Sequence, residues 1–309
     1  MGLTRRQLLA GMAVGLPYAA AQSRRGNGPK PRSTPAVCLY SQLLIKVPYD
    51  ELGMVLRDLG VDGCDLGVHA GGHVVPEQAP VDLMRAIEAI TGVGLDVPVI
   101  TTNYTTLADP TIRNVAAIAG EMGVPLFRAG YWKYNAAMEV EQRLAEVQRD
   151  IAGLASLARA VNMSMALQNV AGDNVGAAIW DTHMVIRNVD QRVGYDFDIG
   201  YATAEGGVGG WPVTMRLALP RLKMVTVRDF VWAKDTSGAW KMTPCPLGEG
   251  MVDWSKFFAG LAGARFAGPV SIQRDYQTRD ELGAMRRDVD FVKKQIGAAF
   301  GGAGAVRLG

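Results

Sequence analysis

Residues 140–169 read VEQRLAEVQRDIAGLASLARAVNMSMALQN, and they contain the pattern that decides the fold. Between Val140 and Val161, apolar side chains recur at the spacing of one helix face, which a folded protein would bury. They are Leu144, Val147, Ile151, Leu154, Leu157 and Ala158. The apolar run Met165–Leu167 follows; it is too short for a helix and is typical of a buried strand. This stretch therefore predicts a helix followed by a strand.

The same alternation recurs along most of the chain. Eight apolar runs of strand type are separated by helical patterns such as Tyr49–Leu59. The runs are Val37–Tyr40, Cys64–Val68, Val97–Thr101, Leu126–Ala129, Met165–Leu167, Tyr195–Asp198, Met224–Val227 and Val270–Ile272. Strands that alternate with helices pair in parallel, so the chain is predicted to be α/β, with a single (β/α)8 TIM barrel. An open doubly wound sheet is the alternative, but no GxGxxG motif follows the first strand, and we expect no nucleotide cofactor.

The amino terminus has the features of an export signal. The pair Arg5-Arg6 precedes an apolar run from Leu8 to about Ala21, which is too short and too interrupted for a permanent membrane span. Paired arginines before such a run resemble a twin-arginine signal, although a Sec-type signal or a short amphipathic arm remains open. We expect recognition by the twin-arginine export machinery and a periplasmic or extracytoplasmic location. The predicted organisation is a signal peptide (1–21), a linker (22–34), the barrel (35–297) and a flexible tail (298–309).

Charge and cysteine content exclude several classes of protein. The chain has 32 Lys and Arg residues against 30 Asp and Glu residues, so it lacks the basic excess that nucleic-acid binding needs. Its three cysteines, Cys38, Cys64 and Cys245, are too few and too scattered for a disulfide framework or a structural zinc site. We therefore expect a small-molecule ligand and no nucleic-acid partner.

Active sites of TIM barrels lie at the carboxyl ends of the strands, and polar side chains follow the predicted strands here. Amides, carboxylates, hydroxyls and aromatic rings together are suited to a carbohydrate or a related polyol. The candidates for substrate binding are Arg128, Tyr131, Asn169, Arg228 and Trp211. The candidates for acid–base chemistry are Glu205, Asp229 and His73. Each carboxylate has a structural alternative: Asp229 could pair with Arg228, and Glu205 could brace the glycine-rich turn beside it.

Several short motifs resemble the sugar phosphate isomerase/epimerase family, which has a xylose isomerase-like TIM barrel. They are Gly60–Leu66 with Gly71–Glu77, Gln168-Asn169, Asp198-Ile199, Ala202–Gly207, Asp229–Trp232, Pro246–Asp253 and Gly268–Ile272. The resemblance covers about residues 36 to 296. It implies the barrel fold and an enediolate reaction in which carboxylates move a proton beside a carbonyl.

The resemblance also implies one divalent metal, Mn, Mg, Zn or Co, held by a Glu, an Asp, a His and a second Glu. The matching candidates are Gln168, Asp198, Gln273 and Asp275, but two amides replace carboxylates, and Tyr201 stands where a His often follows the Asp. Amides are weaker ligands than carboxylates, so strong metal binding is in question.

Three functions are compatible with these features. The leading hypothesis is an exported sugar isomerase or epimerase. The alternatives are a carbohydrate lyase or hydrolase acting on an oxidised sugar, and a non-catalytic carbohydrate-binding barrel with a degenerate metal site. A multi-zinc endonuclease is excluded because the chain has only three histidines. The sugar, its stereocentre and the oligomeric state do not follow from the sequence.

Overall fold

The computed structural model describes residues 32–301. The predicted signal peptide (1–21), linker residues 22–31 and tail residues 302–309 lie outside this part of the chain. Its core is a closed barrel of eight parallel strands, which confirms the predicted fold. The barrel strands are β1 (Val37–Tyr40), β2 (Gly63–Gly67), β3 (Asp96–Thr101), β4 (Leu126–Arg128), β5 (Ser164–Gln168), β6 (Val193–Asp198), β7 (Leu222–Val227) and β10 (Val270–Ile272).

Helices connect these strands and cover the barrel. They are α1 (Tyr49–Asp58), α2 (Ala79–Thr91), α3 (Ile112–Glu121), α4 (Val140–Ala160), α5 (Ile179–Ile186), α6 (Ile199–Ala218), α7 (Trp254–Gly263) and α8 (Glu281–Gly301). Helix α8 includes residues 298–301 of the predicted tail, because its buried face extends to Ile296 and the helix ends about one turn later. Within residues 32–301, no helix has the length and apolar character that crossing a membrane requires.

Side chains alternate along each strand between the barrel interior and the helix layer. In β6, Phe197 stacks on Phe257 of α7 with ring centroids 6.3 Å apart, whereas Asp196 contacts Thr226 of β7 inside the barrel. A small apolar cluster of four strand residues is separate from the main core; its members are Val99, Leu126, Ala166 and Met224. Polar side chains then occupy the carboxyl ends of the strands, so the barrel closes on a polar layer.

One element was not predicted. An antiparallel hairpin, β8 (Asp229–Lys234) with β9 (Trp240–Cys245), follows β7 after a single residue. Most of its side chains outside Asp229 and Phe230 are exposed or half-buried, because the hairpin leaves the barrel and presents both faces to solvent over much of its length. Its sequence therefore lacks the apolar run by which the other strands were found.

Candidate active site

Arg228 lies at the centre of a hydrogen-bonded cluster at the carboxyl ends of the strands. Its Nε donates to Asp198 Oδ2 at 2.7 Å, and its Nη2 donates to Gln273 Oε1 at 2.7 Å. Its Nη1 donates to the hydroxyl of Tyr201 at 3.2 Å and pairs with the carboxylate of Asp275. Because Arg228 is buried, these partners fix its position.

A second arginine cluster adjoins the first. Arg128 donates from Nε to Thr101 Oγ1 at 3.2 Å, and from Nη1 to both Tyr131 and Gln168. The Tyr131 hydroxyl donates to Gln168 Oε1 at 2.5 Å. The rings of Tyr131 and Tyr40 lie 5.3 and 5.9 Å from the guanidinium carbon, close enough for cation–π attraction.

Gln168 connects the two clusters. Its Nε2 donates to Asp198 Oδ2 at 3.0 Å and approaches Gln273 Oε1 at 3.4 Å. The neighbouring residue Asn169 exchanges two hydrogen bonds with the backbone of Asp198, at 2.8 and 3.0 Å. Asp198 in turn caps helix α6, because its Oδ1 accepts from the backbone N–H of Tyr201 at 3.0 Å. Asn169 therefore supports Asp198, because both its amide oxygen and its amide nitrogen bind the Asp198 backbone.

Gly200 makes room for the central arginine. A Cβ at this position would lie 2.4 Å from Cγ of Arg228, which is far inside van der Waals contact. A glycine in the first turn of α6 thus lets Arg228 cross over the helix start and reach Asp198.

Two further carboxylates are buried below this layer. Asp65 accepts from the hydroxyls of Thr101 at 2.6 Å and Ser271 at 2.7 Å. Asp196 accepts from the hydroxyl of Thr226, at 2.9 and 3.0 Å to its two oxygens. Neither carboxylate is exposed to solvent, so neither contacts a ligand at the barrel mouth directly.

Burial controls the ionisation of the site. It raises the pKa of Asp196 to about 7, and it also raises the pKa values of Asp65 and Asp198. Burial alone lowers the pKa of Arg128 and of Arg228, but the acidic and tyrosine side chains around them outweigh that effect, so each pKa is raised. Both arginines therefore carry fixed positive charges.

The four candidate metal ligands come together, but three of them bind Arg228 and the fourth binds Arg128. Asp198, Gln273 and Asp275 all accept hydrogen bonds from its guanidinium, and Gln168 Oε1 accepts from Arg128. In the described part of the chain, no group of three or more His, Cys, Asp or Glu side chains is arranged to hold a metal ion. These residues do not fit a divalent metal, because a cationic side chain already occupies the centre of the ligand set.

Two of the predicted acid–base residues lie away from this cluster. Glu205 is exposed on helix α6, two turns after Asp198. His73 is half-buried, and its Nε2 lies 3.0 Å from the carbonyl oxygen of Leu44 and 3.2 Å from that of Val47. Burial lowers the pKa of His73. Its contacts with the carbonyl groups of Leu44 and Val47 tie the imidazole to the segment after β1.

Asp229, the third predicted acid–base residue, supports a loop. Its carboxylate accepts from the indole of Trp254 at 2.9 Å and from four backbone N–H groups, at distances between 2.9 and 3.3 Å. Those N–H groups belong to Phe230, Gly248, Gly250 and Val252. A carboxylate that already accepts five hydrogen bonds has no free lone pair for a substrate proton. We therefore correct its assignment from proton transfer to loop support.

Trp211 is not on the rim of the barrel. Its side chain is 1% exposed and packs edge-on against Phe257 of α7, with ring centroids 6.5 Å apart. Helix α6 is kinked at Gly207, whose φ is 57°, and Trp211 follows this kink. The kink directs the indole into the helix layer, so Trp211 is a core residue and the predicted contact with substrate is corrected.

The sequence does not single out three members of the site, Tyr40, Asp65 and Asp196, and it offers His69 only as a lesser candidate than His73. His69 Nε2 lies 2.8 Å from the Tyr40 hydroxyl, so this pair extends the Arg128 cluster. The available signal was a single carboxylate inside an apolar strand, as in Gly63-Cys64-Asp65-Leu66-Gly67. Charged residues are almost never fully buried unless they are paired, so such a carboxylate predicts a buried polar contact inside the barrel.

The interior of the site has little free volume, and its accessible side chains lie at the surface. A cavity of about 10 Å³ adjoins Arg228, Gln273 and Asp275, which is room for one water molecule. The side chain of Asp275 is 45% exposed, and Tyr131 is 37% exposed. Tyr131 and Asp275 are therefore the members of the site that a ligand at the barrel mouth could reach from solvent.

Comparison with known proteins identifies the type of barrel. A family model described as xylose isomerase-like TIM barrel matches residues 55–295. No curated protein matches the sequence.

Solved structures similar to this chain include several enzymes that act on sugars. An L-ribulose 3-epimerase has a TM-score of 0.66 at 14% identity, over 86% of this chain and 95% of its own. A 3-keto-D-glucoside 4-epimerase from E. coli has a TM-score of 0.66 at 13% identity, over 84% and 99%. A xylose isomerase-like TIM barrel protein from Mycobacterium smegmatis, in complex with magnesium, has a TM-score of 0.65 at 16% identity, over 88% and 100%. At these identities the likeness establishes a shared fold.

Proposed function

This chain belongs to the xylose isomerase-like TIM barrel family, and from this we propose that it is a sugar isomerase- or epimerase-like enzyme. The proposed reaction is proton transfer at a carbon next to a carbonyl group of a carbohydrate. The observation that carries the proposal is the exposed carboxylate of Asp275 beside the buried Arg228, at the end of the barrel where this fold places its active sites.

Asp275 is the group best placed to move the proton. One of its oxygens pairs with Arg228, which holds the side chain in position. Its other oxygen, Oδ1, accepts no hydrogen bond from the side chains or backbone of residues 32–301, and the side chain is half exposed. A positioned carboxylate with a free oxygen at the barrel mouth is suited to act as a general base.

In the proposed mechanism, Asp275 begins the reaction by removing a proton from carbon. The Asp275 carboxylate takes the proton from the carbon, the C–H electron pair forms a carbon–carbon double bond, and the carbonyl π pair moves to oxygen. The positive charges of Arg128 and Arg228 stabilise the resulting enediolate oxygen. A proton delivered to the opposite face of the same carbon by water on that face gives an epimer, and Asp275 then loses its proton to solvent. Return of the Asp275 proton to the former carbonyl carbon gives an isomer when the proton of the neighbouring hydroxyl group moves to the enediolate oxygen, so that this hydroxyl becomes the new carbonyl.

Solvent deuterium exchange tests this proposal without knowledge of the product. Ketoses and 3-keto-glucosides are incubated with the purified enzyme in D2O, and proton NMR follows the carbon-bound hydrogen beside the carbonyl. We expect enzyme-dependent loss of that signal for at least one sugar, and an Asp275→Asn variant to slow it by about 10²–10⁴-fold. Asp173→Asn, which changes an exposed surface carboxylate, is the matched control and should exchange at the wild-type rate.

The exchange experiment also distinguishes the proposed enzyme from a carbohydrate-binding barrel and a hydrolase. Sugar binding measured by calorimetry, without any deuterium exchange, would favour the non-catalytic carbohydrate-binding barrel. A hydrolase needs two carboxylates that flank the scissile bond. Since Asp229 supports a loop and Glu205 is exposed on α6, the expected pair is not assembled at the barrel mouth. Exchange that persists in Asp275→Asn would contradict the assigned base.

A further inference from the structure

We propose that Arg228 takes the place of the divalent metal in this barrel, so that the site binds an oxygen anion of its ligand with N–H donors. The proposal rests on the proposed function only for the identity of that ligand. Its evidence is the arrangement of Arg228, Gln168 and Gln273 at the carboxyl ends of β5, β7 and β10.

Hydrogen bonds from the protein already engage all but one of the side-chain oxygens in the expected ligand set. Asp198 Oδ2 accepts from Nε at 2.7 Å, and Gln273 Oε1 accepts from Nη2 at 2.7 Å. Asp198 Oδ1 accepts from the start of α6, and Gln168 Oε1 accepts from Arg128. Within residues 32–301, only Oδ1 of Asp275 among these side-chain oxygens accepts no hydrogen bond. A metal would have to displace the guanidinium to find a second anionic ligand.

The net charge of the surrounding side chains also favours a guanidinium over a divalent metal at this position. Asp198 and Asp275 supply two negative charges, and the glutamines at positions 168 and 273 supply none. Arg228 already neutralises one of them in a buried site, where uncompensated charge is costly. A divalent cation added beside it would leave an excess of positive charge. An arginine instead fits the planar arrangement of acceptors with several N–H groups from one side chain.

Two donors remain for a ligand. Arginine has five N–H groups, and Arg228 directs four of them to Asp198, Tyr201, Asp275 and Gln273, which leaves one on Nη2. The amide Nε2 of Gln273 is buried and has no hydrogen-bond partner within 3.5 Å among the described residues, and the Gln273 side chain also lies near the carboxylate of Asp65. Arg228 fixes the orientation of this amide because it needs Oε1 as its acceptor. Unpaired buried donors are costly, and an anionic oxygen of the ligand would satisfy both.

Metal binding tests the proposal without any measurement of turnover. Purified full-length wild-type protein is titrated with Mn2+ by calorimetry, and its metal content is determined by elemental analysis before and after EDTA treatment. We expect no stoichiometric metal. A triple variant, Gln168→Glu, Arg228→His and Gln273→Glu, should bind one Mn2+ at least about 100-fold more tightly than wild type. Its unfolding temperature should rise when Mn2+ is added.

The double variant Gln168→Glu and Gln273→Glu is the matched control, because it restores the carboxylates but keeps Arg228. It should bind Mn2+ no better than wild type. Stoichiometric Mn2+ in wild type, or equal binding by the double and triple variants, would overturn the proposal. A triple variant that melts cooperatively but binds no metal also counts against it. The wild-type titration decides the question if the triple variant does not fold.

The deuterium-exchange assay supplies an independent readout. If exchange is found, EDTA should leave its rate unchanged, and a Gln273→Leu variant should lower kcat more than it raises KM, because the amide would act on the developing oxygen anion. If no sugar exchanges, the proposed reaction fails while the metal titrations still stand or fall by themselves.

Discussion

At the scale of residues, the barrel mouth contains buried carboxylates whose negative charge is only partly compensated. Asp65, Asp196 and Asp198 are fully buried. Among residues 32–301, Arg128 acts on Asp65 and Asp196, and Arg228 acts on Asp198, as the nearby positive charges. The hydroxyls that bind Asp65 and Asp196 stabilise the anions only in part, so burial still raises their pKa values. The native state therefore holds protons at a pH where an unfolded chain would have lost them.

This imbalance predicts how stability depends on pH. The pKa of Asp196 rises from 3.8 to about 7 on folding, so the native state binds more protons than the unfolded state between these values. The free energy of unfolding should therefore fall as pH rises from about 4 to about 7. Urea unfolding at pH 5 and pH 8 should give a loss for wild type that exceeds the loss for Asp196→Asn by about 2–4 kcal/mol.

Two features make this comparison specific. Asparagine keeps an oxygen for the hydroxyl of Thr226 but cannot ionise. The variant Asp173→Asn removes an exposed carboxylate instead and should follow the wild-type curve. Parallel pH curves for wild type and Asp196→Asn would contradict the assigned titration.

At the scale of elements, one buried carboxylate fastens the segment between β9 and α7 to the barrel. Asp229 is the first residue of β8, and it receives hydrogen bonds from Gly248, Gly250, Val252 and the Trp254 indole. The close approach requires a glycine, because a Cβ on Gly250 would lie 2.1 Å from Asp229 Oδ1. The hairpin and the start of α7 are thereby held by one side chain.

Removal of the Asp229 carboxylate should lower the stability of the protein and not only affect its catalytic activity. In Asp229→Ala, several buried N–H groups lose their acceptor, each at a cost of about 1–3 kcal/mol, so we expect at least about 3 kcal/mol less stability. Hydrogen exchange should also become faster at the amides of residues 248–254. The matched control is Glu249→Ala, an exposed carboxylate of the same segment. Wild-type stability in Asp229→Ala, together with complete loss of deuterium exchange into sugars, would restore Asp229 as a base.

At the scale of the whole molecule, we propose that the barrel acts outside the cytoplasm. The proposal rests on Arg5-Arg6 and the apolar run after them, in a part of the chain outside the described residues. The twin-arginine route transports folded proteins, which suits a barrel whose sheet closes only when β10 pairs with β1.

Replacement of the arginine pair tests this export route. The variant Arg5→Lys with Arg6→Lys should accumulate as precursor inside the cell, seen as the loss of mature protein from the extracytoplasmic fraction. The chain contains a matched pair for the control: Arg24→Lys with Arg25→Lys lies after the apolar run and should leave export unchanged. Normal export of the first variant through the same pathway would contradict the assignment.

Sequence patterns predicted the barrel well because its strands are buried on both faces. Runs such as Met224–Val227 and Val270–Ile272 have no solvent-facing positions. They therefore appear in the sequence as short apolar runs between helical patterns. The hairpin β8–β9 was missed for the opposite reason, since its side chains are largely exposed. For the site, strand-end position was enough to select Arg128 and Arg228 as candidates, and the family resemblance indicated Gln168, Asp198 and Gln273.

Individual roles within the site depended on three-dimensional contacts. Asp229 and Asp275 are both carboxylates that follow barrel strands, yet one accepts five hydrogen bonds and the other keeps a free oxygen at the surface. Trp211 lies in the helix layer because of a kink at Gly207, which linear spacing does not reveal. Sequence alone thus determined the closed barrel and the layer of polar residues at its mouth, because periodicity and strand ends are local properties. Only the tertiary structure decided that Arg228 stands among the expected metal ligands, because that position depends on which side chains of β5, β6, β7 and β10 meet across the barrel.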